Sequence, residues 1–408
     1  MAEAEGVGAH VSLEIGQPVH GGHALARYQG RVVFVRHAIP GERAMVRLTE
    51  QRRGYWRGDA VDVDNPSPDR VSSRWPAAGP GGVGGGELAH ISLAGQRRWK
   101  REVVLDAMTR IAGIDAADDL LSQFGVSAVP GAADGTGYRT RIDLTADSSG
   151  RAGMYRYRTH EIATIDSMPL AVPEIQSLDL CAQRWPAGAR IEAVAPSAGK
   201  PVVLVNGRNR SGGSPGRIRE RVELAGEQYH YRVDPAGFWQ IHRAAPAVLA
   251  QAVIEAAALE PGMRVLDGYA GAGLFSAPLA AAVQDSGEVV AVEADQQASA
   301  DARRNAAGIA QIRLLQANVA NALQALDHAP DVAVLDPPRS GAGRSVIEQL
   351  ARLRVPRIVY VACDPASLAR DVAHARSNGM QLRSLTGYDI FPHTHHVELV
   401  ATFTRAHP

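Results

Sequence analysis

Residues 263–275 read MRVLDGYAGAGLF. A short apolar, β-branched run, 263–266, flows into the turn Asp267-Gly-Tyr-Ala-Gly-Ala-Gly273, and an apolar helical pattern follows over 275–282. A strand that runs through a glycine turn into a helix opens a βαβ unit. Working outward, the same alternation continues to the end of the chain. Strands are predicted at 289–292, 312–315, 332–335 and 358–361, with helices over 296–308, 345–353 and 366–377 between them. Two further strands, 382–388 and 397–403, close the pattern. The expectation is an α/β domain over 237–408 with a mostly parallel, doubly wound sheet, which binds ligands beyond the carboxyl ends of its strands.

Several chemically capable residues fall on that edge. Gly271 and Gly273 allow a tight turn and close approach of a ligand. Glu293 ends the second strand, where an acid accepts hydrogen bonds from ribose hydroxyls. A dinucleotide fingerprint needs a third glycine, and Ser276 stands at that position. The turn therefore suits S-adenosylmethionine, which has no pyrophosphate, better than NAD. The fourth strand ends in Asp336-Pro-Pro-Arg339, and two prolines take the backbone out of the sheet there. The next strand ends in Ala362-Cys363-Asp364-Pro365, just before a helix. A thiol at a helix N-terminus is a candidate nucleophile, with its thiolate favoured. Cys181 lacks such a setting and reads as structural. Glu398 lies near the start of the last strand and is a candidate base or a plain surface acid. His393, His395 and His396 precede it, but no cysteine or carboxylate completes an obvious metal set, so no metal is expected.

The first third has a different pattern. Short apolar runs at 32–35 and 44–48, separated by Pro40-Gly41, predict a small β-barrel over residues 1–68. Arg27, Arg31, Arg36, Arg43, Arg47, Arg52, Arg53 and Arg57 make it locally basic, and Tyr28, Tyr55 and Trp56 add aromatic surface. Arginines interleaved with aromatics suit an oligonucleotide, although a solvated strand face has the same composition. Residues 76–86, PAAGPGGVGGG, form a loop, a helix is predicted from Leu93 to about Ile111, and strands at 139–146, 191–195 and 202–205 belong to a central α+β region, 69–236. Residues 207–221 read as a basic, glycine- and serine-rich loop.

Composition sets the outer limits. The chain has 408 residues, 45% hydrophobic and 21% charged, which excludes a largely disordered protein. Its 43 basic residues balance 43 acidic ones, so it is not basic as a whole. No apolar run is long enough to cross a membrane, and the start does not resemble a secretory signal. With two cysteines, a disulfide framework is excluded and a reducing cytoplasm is the simplest compartment.

Together the motifs LDGYAGAGLF (266–275), DPPR (336–339), YVACDPASLARD (360–371) and HTHHVE (393–398) resemble those of the RNA uracil-5-methyltransferase family. The resemblance covers nearly the whole chain. It implies a Rossmann-like methyltransferase domain, an RNA-binding TRAM barrel at the N-terminus, and an S-adenosylmethionine cofactor. By the same resemblance the nucleophile falls on Cys363, the general base on Glu398, and the methyl-donor contacts on Gln240 (in GFWQIH), Tyr269, Glu293 and Asp336. The substrate it implies is a uridine in 23S rRNA or tRNA. A monomer is compatible with these features.

Two departures from the family pattern matter. The usual Gln-Val-Asn is Gln240-Ile-His242, and the residues flanking the cysteine are Ala362 and Asp364. Some relatives also hold an iron–sulfur cluster. Here Trp75, Pro80, Val83 and Met168 stand in that context, and a cluster needs thiolates, so none is expected. Competing readings are a cytosine-5 methyltransferase, which typically carries its nucleophile in another motif, and a non-catalytic RNA-binding protein on the same fold. An exocyclic-amine methyltransferase would want an aromatic where Arg339 stands.

Overall fold

The computed structural model describes residues 6–214 and 216–405. Six strands form the N-terminal unit: β1 (His10–Glu14), β2 (Pro18–Val19), β3 (His23–Tyr28), β4 (Arg31–Arg36), β5 (Arg43–Gln51) and β6 (Tyr55–Val63). They pair in the order β1-β5-β6-β4-β3-β2, and the β4–β6 pair alone is parallel. Alternation decides their faces. In β1, Val11 and Leu13 point inward and their neighbours point to solvent. Trp56 also lies inward, 6% exposed, so it belongs to the barrel core rather than to an aromatic surface.

The central region begins with α1 (Leu93–Arg110), whose Ser92 cap accepts the Gly95 amide. The short α2 (Asp119–Gln123) and β7 (Val126–Ala128) follow. Next come β8 (Arg141–Ala146), β9 (Ala152–Tyr155), β10 (Ile162–Thr164), the single-turn α3 (Pro173–Gln176), β11 (Arg190–Val194), β12 (Val202–Val205) and β13 (Arg208–Asn209). Strands β8–β13 form a six-stranded sheet in the order β10-β9-β8-β11-β12-β13. Trp75, Val83 and Met168, from the cluster context, are buried together in its apolar core, whereas Pro80 is exposed. The basic loop expected over 207–221 is shorter than that. The pattern IRERVEL alternates, so β14 (Ile218–Leu224) starts inside it and pairs with β15 (Glu227–Val233). Arg219 and Arg221 thus stand on the solvent face of a strand.

The last region runs α4 (Ala245–Ala257), β16 (Arg264–Gly268), α5 (Ser276–Val283), β17 (Glu288–Glu293), α6 (Gln296–Asn305), β18 (Ile312–Gln316), α7 (Val319–Gln324), β19 (Val332–Leu335), α8 (Gly343–Arg352), β20 (Arg357–Ala362), α9 (Pro365–Ser377), β21 (Met380–Asp389) and β22 (Glu398–Arg405). Its eight-stranded sheet has the order β18-β17-β16-β19-β20-β22-β21-β7. Strands β16–β20 are parallel, and β22 turns antiparallel against β20. The continuous apolar runs of β19 and β20 are buried, as expected for strands covered on both faces. Strand order reverses between β16 and β19, which opens a crevice at their carboxyl ends. β7 extends the far edge of the sheet, and α1 packs beside α9, so parts of the central region belong to this layer. Among the described residues no helix is long and apolar enough to cross a membrane.

Candidate active site

The turn after β16 is built by backbone geometry. Gly271 and Gly273 have φ of 57° and 90°, and Tyr269 adopts φ of 65°, a left-handed conformation costly for a side chain with a Cβ. Glu293 holds the turn: its Oε2 accepts the Gly271 amide at 2.9 Å and its Oε1 the Asp295 amide at 2.7 Å. Beneath it Asp267 is fully buried. Its Oδ2 accepts the Ser276 hydroxyl at 2.5 Å, while its Oδ1 is buried without a partner. The orphaned acceptor and the open glycine turn fit a polar ligand seated over the end of β16.

A row of acids leads from this turn to the cysteine. Burial, aided by Glu293, lifts Asp267 to about 6. Burial and the nearby Asp267 lift Asp336 to about 7. Glu398, 4% exposed, is raised well above the ordinary carboxyl range by burial and then by Asp336. Cys363 closes the row. Burial pushes its thiol up to about 11, and Glu398, Asp336 and Asp364 add to the rise against the opposing Arg339. The thiolate expected from the helix N-terminus is therefore not the resting state. Desolvation and facing carboxylates outweigh the helix end, whose Asp364 cap already accepts the Ser367 amide at 2.7 Å.

The remaining predicted contacts sit on other walls. The backbone of 237–242 is gripped by the central region. Thr140 donates its amide to the Ile241 carbonyl at 2.8 Å, and Arg141 donates to the Gly237 carbonyl at 2.6 Å. Gln240 is buried in this segment, and among the described residues no hydrogen bond joins it to the acid row. The Tyr269 hydroxyl turns toward the Ala342 carbonyl at 3.5 Å, and burial with Asp371 lifts it to about 12. Glu293, Asp267, Asp336, Glu398 and Cys363 thus form one chain of interacting groups, and Tyr269 stands in the turn that follows Asp267.

Several positioning residues escaped the sequence reading. Asp371 accepts the Tyr360 hydroxyl at 2.6 Å and the Ala342 amide at 2.8 Å, which fixes the loop after DPPR. It lies within LARD, a signal the sequence did offer. Lys100 is wholly buried and reaches Asp389 at 2.5 Å and the Phe391 carbonyl at 2.9 Å. Gln96 accepts the His393 amide at 2.7 Å. Two side chains of α1 therefore hold the loop that presents Glu398, a pairing across nearly 300 residues that no local pattern reveals. His393 faces the Asp134 carbonyl, His395 faces Glu87 at 3.4 Å, and His396 faces Arg339 at 3.5 Å. Among the described residues no group of three or more His, Cys, Asp or Glu side chains could hold a metal ion.

Comparison with known proteins now decides the family. A family model described as tRNA (uracil-5-)-methyltransferase matches residues 214–405, and a TRAM domain model matches residues 6–61. An RNA methyltransferase of Streptomyces coelicolor, itself uncharacterised, is 37% identical over 97% of this chain and 93% of its own length. The chain belongs to the RNA uracil-5-methyltransferase family. A further relative, the 23S rRNA (uracil(1939)-C(5))-methyltransferase RlmD of a Shewanella strain, is 29% identical over 98% of this chain and 96% of its own. Among solved structures, the tRNA (uracil-54, C5)-methyltransferase of Pyrococcus abyssi, determined with S-adenosyl-L-homocysteine, shares the fold with a TM-score of 0.69 at 22% identity, over 96% of this chain and all of that one. For a uracil-5-methyltransferase of this family, the N-terminal strands are a TRAM domain and the C-terminal sheet is the methyltransferase fold.

Proposed function

We propose that this chain transfers a methyl group from S-adenosylmethionine to C5 of a uridine in 23S rRNA or tRNA, through a covalent adduct between Cys363 and C6. The observation that carries the reading is the meeting of Cys363 with Glu398 at the end of the acid row. Uracil C5 is a poor nucleophile. Cys363 gives its proton to water, and its sulfur bonds to C6. The C5–C6 electrons move toward the C4 oxygen, and C5 becomes an enolate carbon. The donor supplies an electrophilic methyl group, which C5 takes as the sulfur–methyl bond breaks and its electrons stay with the departing thioether. The Glu398 carboxylate then removes the C5 proton, the C5–C6 double bond re-forms, and the sulfur is expelled. A raised pKa makes Glu398, once ionised, a stronger base.

Gln240, Tyr269, Glu293 and Asp336 are the proposed donor contacts. The glycine turn and the orphaned oxygen of Asp267 support the donor's placement there. The target base must leave its stack to reach Cys363, and the barrel over 1–68 is the proposed anchor for the surrounding RNA. The test is mass-spectrometric mapping of 5-methyluridine in tRNA and 23S rRNA from a deletion strain. Sites that vanish on deletion, return with the wild-type gene and do not return with Cys363→Ala support the reading. An unchanged modification map overturns it.

A further inference from the structure

A cavity of 520 Å³ lies where the barrel meets the β9–β10 hairpin. Six arginines line it, Arg36, Arg47, Arg52, Arg57, Arg156 and Arg158, against the two carboxylates Glu50 and Asp59. Both carboxylates are already engaged. Asp59 holds Arg36 at 3.0 Å, and Glu50 holds Arg57 at 2.6 Å and Arg52 at 2.5 Å. Arg156 pairs with Glu161 at 2.9 Å. Arg47 and Arg158 form no ion pair among the described residues. Arg158 lines the cavity from the hairpin tip, exposed and with φ of 57°, a strained conformation. Positive charge is therefore left over at the cavity, although the whole chain is neutral.

Aromatic rings complete the wall. Phe34 and Tyr157 line it, and the Arg36 guanidinium lies 3.8 Å from the Tyr157 ring centroid. The floor is the glycine-rich loop. The Gly81 amide donates to Asp59 Oδ2 at 2.9 Å, and Arg156 donates to the Gly81 carbonyl at 2.5 Å. A Cβ at Gly82 would lie 2.1 Å from the Ala77 carbonyl oxygen, so the close turn there requires glycine. The glycine-rich loop 76–86, which carries Pro80 and Val83, thus fastens the barrel to the hairpin.

The cavity also adjoins the catalytic edge. His23 lines it and faces the Tyr157 hydroxyl at 3.4 Å. At the other end of the same turn, His20 meets Asp364, the neighbour of Cys363, at 3.3 Å. One turn of chain, residues 20–23, separates cavity from crevice.

We propose that this cavity holds a nucleotide of the substrate RNA beside the uridine that enters the crevice, with its phosphate on Arg47 and Arg158 and its base against Tyr157 and Phe34. Unpaired arginines meet phosphate and aromatic faces stack bases, which together suit single-stranded RNA. The proposal rests on the RNA reading above and adds a second contact point to it.

The test is the double variant Arg47→Ala, Arg158→Ala in the full chain. Its affinity for a fluorescent single-stranded RNA oligonucleotide and for protein-free RNA from the deletion strain is measured against salt. Affinity should fall about tenfold near physiological salt, and the slope of log K against log salt should shrink by about 0.7 for each arginine lost. Calorimetry with S-adenosylmethionine, unchanged, would show that the fold is intact. Wild-type affinity and slope in the variant overturn the proposal. Saturable binding of free adenosine or uridine monophosphate that needs both arginines, with RNA affinity unaltered, overturns it in favour of a free nucleotide. Arginine-dependent RNA binding by a wild-type protein that forms no 5-methyluridine would sink the activity and leave the cavity assignment standing.

Discussion

Cys363 and Glu398 leave one antiparallel ladder opposite each other: Ala362 pairs with Leu399 at its last rung, so the next residue of β20's chain and the first residue of β22 face across the same end. A register fixed by backbone hydrogen bonds sets their spacing. Glu398 helps raise the Cys363 thiol.

Glu398→Gln should trap a covalent RNA–protein adduct. Sulfur addition and methyl transfer need no base at C5, whereas release of the sulfur needs loss of the C5 proton. Gln keeps the size and one acceptor but cannot take that proton. Removal of a general base costs about 10²–10⁴ in rate, so the adduct should persist as a slow band in a denaturing gel that requires both donor and RNA. Near-normal turnover with no such band would assign Glu398 a purely structural role.

The free enzyme should have an unreactive cysteine. With the thiol pushed up to about 11, alkylation of Cys363 by iodoacetamide should climb about tenfold per pH unit from 7 to 10, without a plateau. The measurement belongs in a Cys181→Ala background, because burial lifts that thiol to about 11 as well. Glu398→Gln should speed alkylation at pH 8 by removing a facing carboxylate. A plateau near pH 7 would mean that the helix end wins after all. Cys363→Ala should abolish turnover and leave donor affinity intact, by calorimetry.

These two residues also mark how far the sequence could be read. The βαβ alternation, the glycine turn and the strand-end cysteine are local signals, and β16–β20 form where the apolar runs are. The sign of the Cys363 shift is not legible in the sequence, because it depends first on burial and then on Glu398 and Asp336, which distant parts of the chain bring beside it. β7 was missed for a related reason. Val126–Ala128 is too short to carry a period, and its partner, Gly387–Asp389 in β21, is about 260 residues away.

Asp336→Asn should stabilise the protein while harming it as an enzyme. An acid whose folded pKa is about 7, against an ordinary 3.8, costs stability as pH rises between those values, because the unfolded chain gives up its proton there and the folded one keeps it. That cost is absent below about pH 4 and complete above about pH 7. The variant's melting temperature should match wild type at pH 4 and exceed it by a few degrees at pH 8, about 4 kcal/mol. Donor affinity should fall. A difference in melting temperature independent of pH would show that Asp336 is not the buried acid described here.

Lys100→Met should destabilise the fold by about 3–5 kcal/mol, the cost of leaving Asp389 buried and unpaired. Adding Asp389→Asn should recover much of that loss, since no charge then remains. The Phe391 carbonyl would still lack its donor, so the double variant should fold yet present Glu398 loosely, with kcat reduced more than the KM for RNA is raised. Equal stability of single and double variants in urea titrations would refute the pairing.

Deleting residues 1–68 should flatten the salt dependence of RNA binding, but by less than the arginine count suggests. Of the eight arginines named in the barrel sequence, Arg36, Arg43, Arg52 and Arg57 are already bound to Asp59, Glu14 and Glu50. An arginine that keeps its carboxylate releases few counterions. Arg27, Arg31, Arg47 and Arg53 form no ion pair among the described residues, and at about 0.7 per phosphate contact they set a ceiling near ~3 on the lost slope. Deletion also removes His20 from Asp364. The truncated chain should therefore lose activity on short RNA beyond its loss of affinity, read as a fall in kcat at saturating RNA. A slope change well above that ceiling would mean that RNA displaces the carboxylates, and an unchanged slope would mean that the barrel does not touch phosphate.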